Sequence, residues 1–413
     1  TLILSVSFSH LADAQLSQPS YTYFASSAYE EGEAFYIHGG SVSYRDDVPL
    51  TQTIAVDLSV SWPVNNPVHK RLPDGPIGIG FASTLSADKI TWFIVTNGTA
   101  YTYSFQSARW DPVLPGIPFS RDLGMHAVTD PDTGLIYIPF GAAGPQNITT
   151  MFRVDLDSNK VDNVAMPATD LLDDYCVAWS ATLKSLVIFG GRTTNHDDEP
   201  STKMSVYNPQ AGWSSATLGG DVPVPRQYGC FEPAYGGSKM VLFGGSRDFG
   251  RTLFNDIFIL DVTTNTWRQG PNATDMEAAR ELASCAVSGH FFIVWGGAKE
   301  WMHAVESVMV YNMRTNHWIS NYYPPDSSTD YESSEVPSAD TRSHVAIILG
   351  SVFAGLVVLS AIGATILCWT RNTPEPYSTS TNEKAGDPYS RSAKHDGVPT
   401  EIIDSKETLV IRT

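Results

Sequence analysis

Residues 239–267 read "KMVLFGGSRDFGRTLFNDIFILDVTTNTW". A short apolar run closes on two glycines, a polar loop follows, and a second apolar run leads into "TTNTW". The same order recurs as "SLVIFGG" (185–191) with "MSVYNPQAGW" (204–213), and as "FFIVWGG" (291–297) with "VMVYNMRTNHW" (308–318). Fainter copies lie upstream. "AFYIHGG" (34–40) goes with "IAVDLSVSW" (54–62), and "TWFIVTNG" (91–98) with "TYSFQSARW" (102–110). "LIYIPFGA" (135–142) goes with "FRVDLDSNKV" (152–161), where Val161 takes the place of the tryptophan. The second position of the pair falls at residues 40, 98, 142, 191, 245 and 297, in steps of 58, 44, 49, 54 and 52. A period near fifty marks a repeat architecture.

Each copy holds Val/Ile/Phe/Tyr-rich runs bounded by Gly, Asn, Asp and Pro, which are strand and turn signals. "TTNTW", "RTNHW" and "QSARW" read as tight hairpins in which Asn or a small residue accepts a positive φ. A glycine pair at the end of a buried strand lets another backbone approach where a Cβ would clash. The tryptophan supplies an apolar plate between neighbouring sheets. One four-stranded sheet cannot bury both its faces, but copies arranged radially bury one another. The spacing therefore predicts an all-β fold, a six-bladed β-propeller spanning about residues 21–323.

"VLFGG" followed by Tyr or Asp and then Trp resembles the kelch repeat. The match is sharpest at Gly190, Gly191, Tyr207 and Trp213; Gly244, Gly245, Asp261 and Trp267; and Gly296, Gly297, Tyr311 and Trp318. In the second and third copies Asn97 and Ala142 each replace a glycine, and Pro139 interrupts the run. The resemblance implies a kelch-type propeller, and these residues have structural roles that name no ligand.

The flanking segments predict where the propeller resides. Residues 1–14 read as the apolar part of an N-terminally incomplete signal peptide, with Ala12 and Ala14 as a small-x-small cleavage site. Residues 345–369, "VAIILGSVFAGLVVLSAIGATILCW", carry no charge and are long enough for one transmembrane helix. Residues 324–343, rich in Ser, Thr, Pro and acid, read as a stalk, and 371–413 as a disordered cytoplasmic tail. The sequons at Asn97, Asn147 and Asn272 all precede the apolar run. The expected arrangement is a single-pass type I membrane protein with its propeller outside, at the cell surface or in the secretory pathway.

Net charge is −18 over 413 residues, and the tail's six basic and seven acidic residues leave 20 basic and 37 acidic, or −17, for the rest. So acidic a body argues against nucleic acid as the partner. Cys176, Cys230 and Cys285 fall shortly before "VIFGG"-type strands, in the expected innermost strands of blades four to six. They are candidates for a Cys176–Cys230 or Cys230–Cys285 bridge, or else small buried hydrophobes. Cys368 lies at the inner end of the apolar run.

No Gly-x-Ser-x-Gly, His-Glu-x-x-His, P-loop or Rossmann glycine pattern occurs. The expectation is a non-enzyme with no catalytic residues, metal or cofactor. The acidic loop "NHDDEP" (195–200) lacks the spacing of a calcium loop. The enzymatic alternative is a galactose-oxidase-like copper oxidase, for which Tyr175 beside Cys176, with His126, would be the starting set. A structural or trafficking adaptor is the other alternative. Binding of an extracellular protein or glycan is the leading expectation, on the face where the loops after the glycine pairs emerge. Those loops, 41–51, 192–203, 246–254 and 298–306, contain Arg192, His196, Asp197, Arg247, Asp248, Arg251 and Trp301. Mixed charge with exposed aromatics suits recognition. Arg121, Arg226 and Arg280 recur ahead of the inner strands, and their repetition predicts a structural role in the interblade turns.

Overall fold

A computed structural model of the chain describes residues 19–325, except 44–48, 81, 97, 114–125, 140–149, 168–171, 194–202, 248–249, 275–277 and 300–302. The signal, the apolar run at 345–369 and the tail lie outside the described residues. Among the described residues no helix is long and apolar enough to cross a membrane.

The strands build six blades, each contiguous in sequence. Blade one comprises Ser26–Glu30, Ala34–His38, Thr53–Asp57 and His69–Leu72. Blade two comprises Ala82–Leu85, Thr91–Thr96, Thr99–Ser104 and Arg109–Val113. Blade three comprises Val128–Thr129, Ile136–Ile138, Thr150–Asp155 and Lys160–Ala165. Blade four comprises Cys176–Ser180, Ser185–Phe189, Met204–Asn208 and Gly212–Ala216. Blade five comprises Cys230–Ala234, Lys239–Phe243, Ile257–Asp261 and Thr266–Gln269, with Gly219–Gly220 added in parallel at its outer edge. Blade six comprises Ser284–Ser288, Phe291–Trp295, Val308–Asn312 and His317–Ile319. The first strands stand side by side in a closed ring. Blades two and three, despite their imperfect glycine pairs, have the same four antiparallel strands as the others.

Position in the blade explains composition. The second strands are enclosed on both faces, so "SLVIF" and "FFIVW" are buried at every residue. The innermost strands converge on the axis and use small residues, as in "SSAYE", "CVAWS" and "SCAVS". The outer hairpins turn through left-handed residues, Ala108, Asn159, Asn265 and Asn316, at φ 50°, 54°, 53° and 61°.

The tryptophans pack against the preceding blade. Trp267 of blade five is buried, with its ring 5.0 Å from that of Phe189 in blade four. Trp318 of blade six lies 5.3 Å from Phe243 of blade five, and Trp110 of blade two lies 4.7 Å from His38 of blade one. Trp213 of blade four donates from Nε1 to the Ala165 carbonyl of blade three at 2.9 Å. Blade one departs from the repeat. Trp62 precedes its fourth strand and sits in a separate ladder, Trp62–Pro63 against Asn321–Tyr322. Its ring stacks on Tyr322 at 4.8 Å, joining the end of the propeller to its beginning. The sequence repeat assigned this tryptophan to the hairpin, but the closure of the ring claims it.

The glycine pairs and the recurrent arginines form one device. Arg226, between blades four and five, accepts a hydrogen bond on its carbonyl from Gly191 N at 2.9 Å. Its guanidinium reaches forward to the Gly244 carbonyl of blade five at 2.9 Å and to Asp256 at 2.6 and 3.0 Å. Arg280 repeats this one blade on: its carbonyl accepts from Gly245 N at 2.9 Å, and its Nη1 donates to the Gly296 carbonyl at 3.0 Å. Only glycine permits the approach. A Cβ on Gly244, at φ 64°, would lie 2.6 Å from the Arg280 carbonyl. These arginines are buried staples between blades, as their repetition predicted. Arg121 lies outside the described residues.

Register also decides the cysteines. Cys176 pairs with Phe189 and Cys230 with Phe243, whereas in blade six the residue opposite Trp295 is Ser284. Cys285 is therefore displaced by one residue, and since strand side chains alternate, it turns back toward blade five. Cys230 and Cys285 form a disulfide with a Cα separation of 6.0 Å. Cys176 is buried and free, so of the two candidate bridges Cys176–Cys230 does not form. Sharing the same register, those two point the same way round the ring and cannot face each other. The shorter first hairpin of blade six hides the offset in the sequence.

Candidate functional site

Antiparallel order places the loops between second and third strands on the same face as the interblade loops, and the tight hairpins on the other. On the loop face the two loop classes are laced together. Leu172–Asp173 pairs with Arg192–Thr193, and isolated bridges join Gln227 to Ser246, Glu281 to Ala298, Tyr23 to Ser41 and Ser43 to His303. Five residues, each two positions before an inner strand, are left-handed: Phe24, Gly80, Asp174, Tyr228 and Leu282, at φ 53°, 70°, 58°, 56° and 58°. Their backbones bond blade to blade: Gly80 N to Phe24 O at 3.1 Å, Phe24 N to Leu282 O at 3.2 Å, Leu282 N to Tyr228 O at 3.0 Å, and Tyr228 N to Asp174 O at 3.1 Å. Phe24 and Tyr228 meet edge to face at 5.7 Å above this collar, in a cluster with Tyr23 and Leu282.

Of the residues predicted for binding, Arg247 and Arg251 are brought onto one hairpin of blade five, Ser246–Arg247 against Thr252–Leu253. Arg251 is exposed at its tip, and Arg247 is half-buried. The base of this hairpin is pinned where the buried Ser246 hydroxyl donates to the Glu281 carboxylate. Burial raises the pKa of Glu281, the Ser246 bond opposes that rise, and the charge of Asp174 adds to it. Arg192 lies in the laced strand of blade four. His196, Asp197, Asp248 and Trp301 lie outside the described residues, as do the sequons Asn97 and Asn147. Asn272 is exposed in the loop between blades five and six.

Of the set that would begin a copper site, the His126 and Tyr175 rings lie 5.7 Å apart, but the hydroxyl and thiol have other partners. The Tyr175 hydroxyl donates to the Pro139 carbonyl, while the Cys176 thiol faces the Gly229 carbonyl at 3.2 Å. Burial pushes the Cys176 thiol up to about 12 and His126 down to about 4. Among the described residues no group of three or more His, Cys, Asp or Glu is placed to hold a metal ion.

The axis contains a cavity of about 290 Å³, lined by the inner strands and reaching Ser27, Thr84, His126, Cys176 and Glu232. A second recess of about 350 Å³ on the hairpin face shares Tyr29, Leu85, Thr129, Trp179 and Pro233 with it. Glu232 lies in the middle of the inner strand of blade five, and burial drives its carboxyl up to about 8, opposed only by a hydrogen bond with Tyr29. The Tyr29 hydroxyl reaches past blade six to the vicinity of the Pro233 carbonyl, at 3.5 Å. Sequence reasoning passed over Glu232. The signal was present in "CFEPA", where an acid and a proline interrupt a strand whose counterpart in blade four reads "CVAWS".

Six radial sheets, interblade tryptophans and arginine-to-glycine staples define a kelch-type β-propeller, a class of protein-interaction domain. The chain belongs to the kelch-repeat family: residues 125–351 match the KLHDC2/KLHL20/DRC7 Kelch-repeats domain. It is also similar to two Arabidopsis thaliana proteins. It is 31% identical over 146 residues to acyl-CoA-binding domain-containing protein 4, covering 34% of this chain and 20% of that protein. It is 27% identical over 157 residues to acyl-CoA-binding domain-containing protein 5, covering 37% and 22%. The chain thus spans about a fifth of the length of these curated relatives.

Proposed function

We propose that this chain is a single-pass membrane protein whose extracellular or lumenal kelch propeller binds a protein or glycan partner through its loop face, without catalysis. One observation carries the reading. The strands that carry Arg247 and the exposed Arg251 are set in a frame of laced loops, so the Arg251 charge is presented on a fixed base. Such preorganisation lowers the ordering cost of binding. Three features favour the outside location: the charge-free run at 345–369, sequons only ahead of it, and a Cys230–Cys285 disulfide, a bond that persists in oxidising compartments. Asn272, exposed on the loop face, is a fitting glycan acceptor.

The test has two arms. A glycosidase should increase gel mobility, and protease added to intact cells should spare the tail; a tail digested from outside overturns the orientation. A partner identified by proximity labelling should lose at least about tenfold in affinity when Arg247 and Arg251 are both replaced by Ser, about 1.4 kcal/mol. Unchanged binding by that variant, with loss at Asn265 or Asn316 on the hairpin face, would transfer recognition to the other side. A propeller that serves only as a spacer would yield no partner sensitive to either face.

A further inference from the structure

The axial cavity and its hairpin-face mouth have a layered chemistry. The fourth residues of five inner strands, Tyr29, Leu85, Trp179, Pro233 and Val287, form an apolar and aromatic collar around the mouth. One residue deeper, Thr84 and Glu232 enter the lining, with Ser27, Ser83 and Thr129 adding hydroxyl oxygens. The wall is thus apolar at the rim and acceptor-rich within. Its described titratable groups are Tyr29, His126, Cys176 and Glu232 in the cavity, and Glu31, Lys89 and Tyr235 at the mouth. Lys89, the only Lys or Arg among them, is drawn to Glu30 at 3.9 Å. Within the cavity no described basic side chain other than His126 faces Glu232, and burial keeps that imidazole neutral.

We infer that the axial channel is a binding site for a primary ammonium group on a short alkyl stem, entering from the hairpin face, with the stem in the collar and the ammonium against the Glu232 carboxylate and the neighbouring hydroxyls. The collar buries methylenes, each worth about 0.8 kcal/mol, and aromatic faces such as Trp179 attract a cation. An ammonium has three donors and needs several acceptors, which Glu232, Tyr29 and Thr84 provide. Loop-face binders and this ligand would use opposite faces, so the site is independent of the recognition proposed above.

The carboxyl supplies a signature that a greasy cavity lacks. Burial holds the proton on Glu232 up to about pH 8. An arriving cation stabilises the ionised form, so binding below that pH expels a proton. Affinity therefore rises with pH toward 8 and levels off above it, with a limit of tenfold per pH unit.

The experiment is calorimetric titration of the purified full-length chain with 1,5-diaminopentane, with an N-acetylated lysine-containing peptide, and with 1-hexanol as the neutral control. At least one of the amines should bind, by up to about fiftyfold more tightly at pH 8 than at pH 6. Glu232→Gln, which preserves shape, should lower that affinity at least tenfold and abolish its pH dependence. Binding of the free diamine alone assigns the site to a small ligand, and binding of the peptide alone to a partner's lysine. The inference is overturned if neither amine saturates by about 10 mM, if hexanol binds as well as the amines, or if the Gln variant binds like the parent.

Discussion

Arg226 offers the sharpest test of how the blades are held together. Its side chain is fully buried, and the Asp256 side chain is 14% exposed. The guanidinium makes a forked pair with Asp256 at 2.6 and 3.0 Å, donates to the Gly244 carbonyl at 2.9 Å, and lies 4.5 Å from the centre of the Phe254 ring. Arg226→Met retains most of the stem but strands the carboxylate and the carbonyl. Removing one partner of a buried pair costs about 3–5 kcal/mol, chiefly because the remaining charge is uncompensated. Asp256→Asn removes the charge and keeps the shape, and should cost about 1.5–3 kcal/mol. The double variant should therefore cost less than the sum of the two by about 1.5–3 kcal/mol. Arg226→Lys should fall between parent and Met, since an ammonium keeps the charge but not the fork. Urea unfolding followed by tryptophan fluorescence reads all four free energies. A loss below about 1 kcal/mol for Arg226→Met, or additivity within about 0.5 kcal/mol, would refute the staple.

Two further outcomes are expected. Trp267→Ala removes a buried plate shared by blades four and five and should cost roughly 3–5 kcal/mol in the same assay; a loss under about 1 kcal/mol would show that blade packing does not depend on it. Stability should peak near pH 6.5, because opposing titrations meet there. His38 and His126 are held neutral with pKa lowered from 6.5 to about 4, so the unfolded chain binds more protons and stability falls as pH drops below 6.5. Glu232, raised from 4.5 to about 8, binds more protons when folded, so its contribution is lost as pH climbs from 4.5 through 8. Each group contributes at most about 1.4 kcal/mol per pH unit. Thermal unfolding from pH 4 to 9 measures it. Glu232→Gln should flatten the alkaline side and steepen the rise between pH 4.5 and 6.5, where Glu232 opposes the histidines, and an unchanged alkaline slope would remove Glu232 from this account.

The propeller and its blade number were legible from residues 34–318 because the glycine pair and the tryptophan are local solutions to a packing problem that recurs in every blade. A fixed spacing survives wherever the geometry repeats. The arginines showed their structural nature for the same reason. What broke the repeat needed the tertiary structure. Trp62 occupies a repeat position in the sequence, yet it pairs with Tyr322 because the two ends of a ring must meet somewhere, and closure joins residues about 260 apart. Cys285 looks equivalent to Cys230 until the pairing register shows it one residue out of phase, and with a side-chain period of two that single step decides which cysteines face each other. Glu232 was visible as an odd residue in "CFEPA", but only the convergence of six inner strands turns it into a carboxyl in the wall of a channel. Sequence spacing determines the blade. The axis, which all six blades line, exists only once the ring is closed.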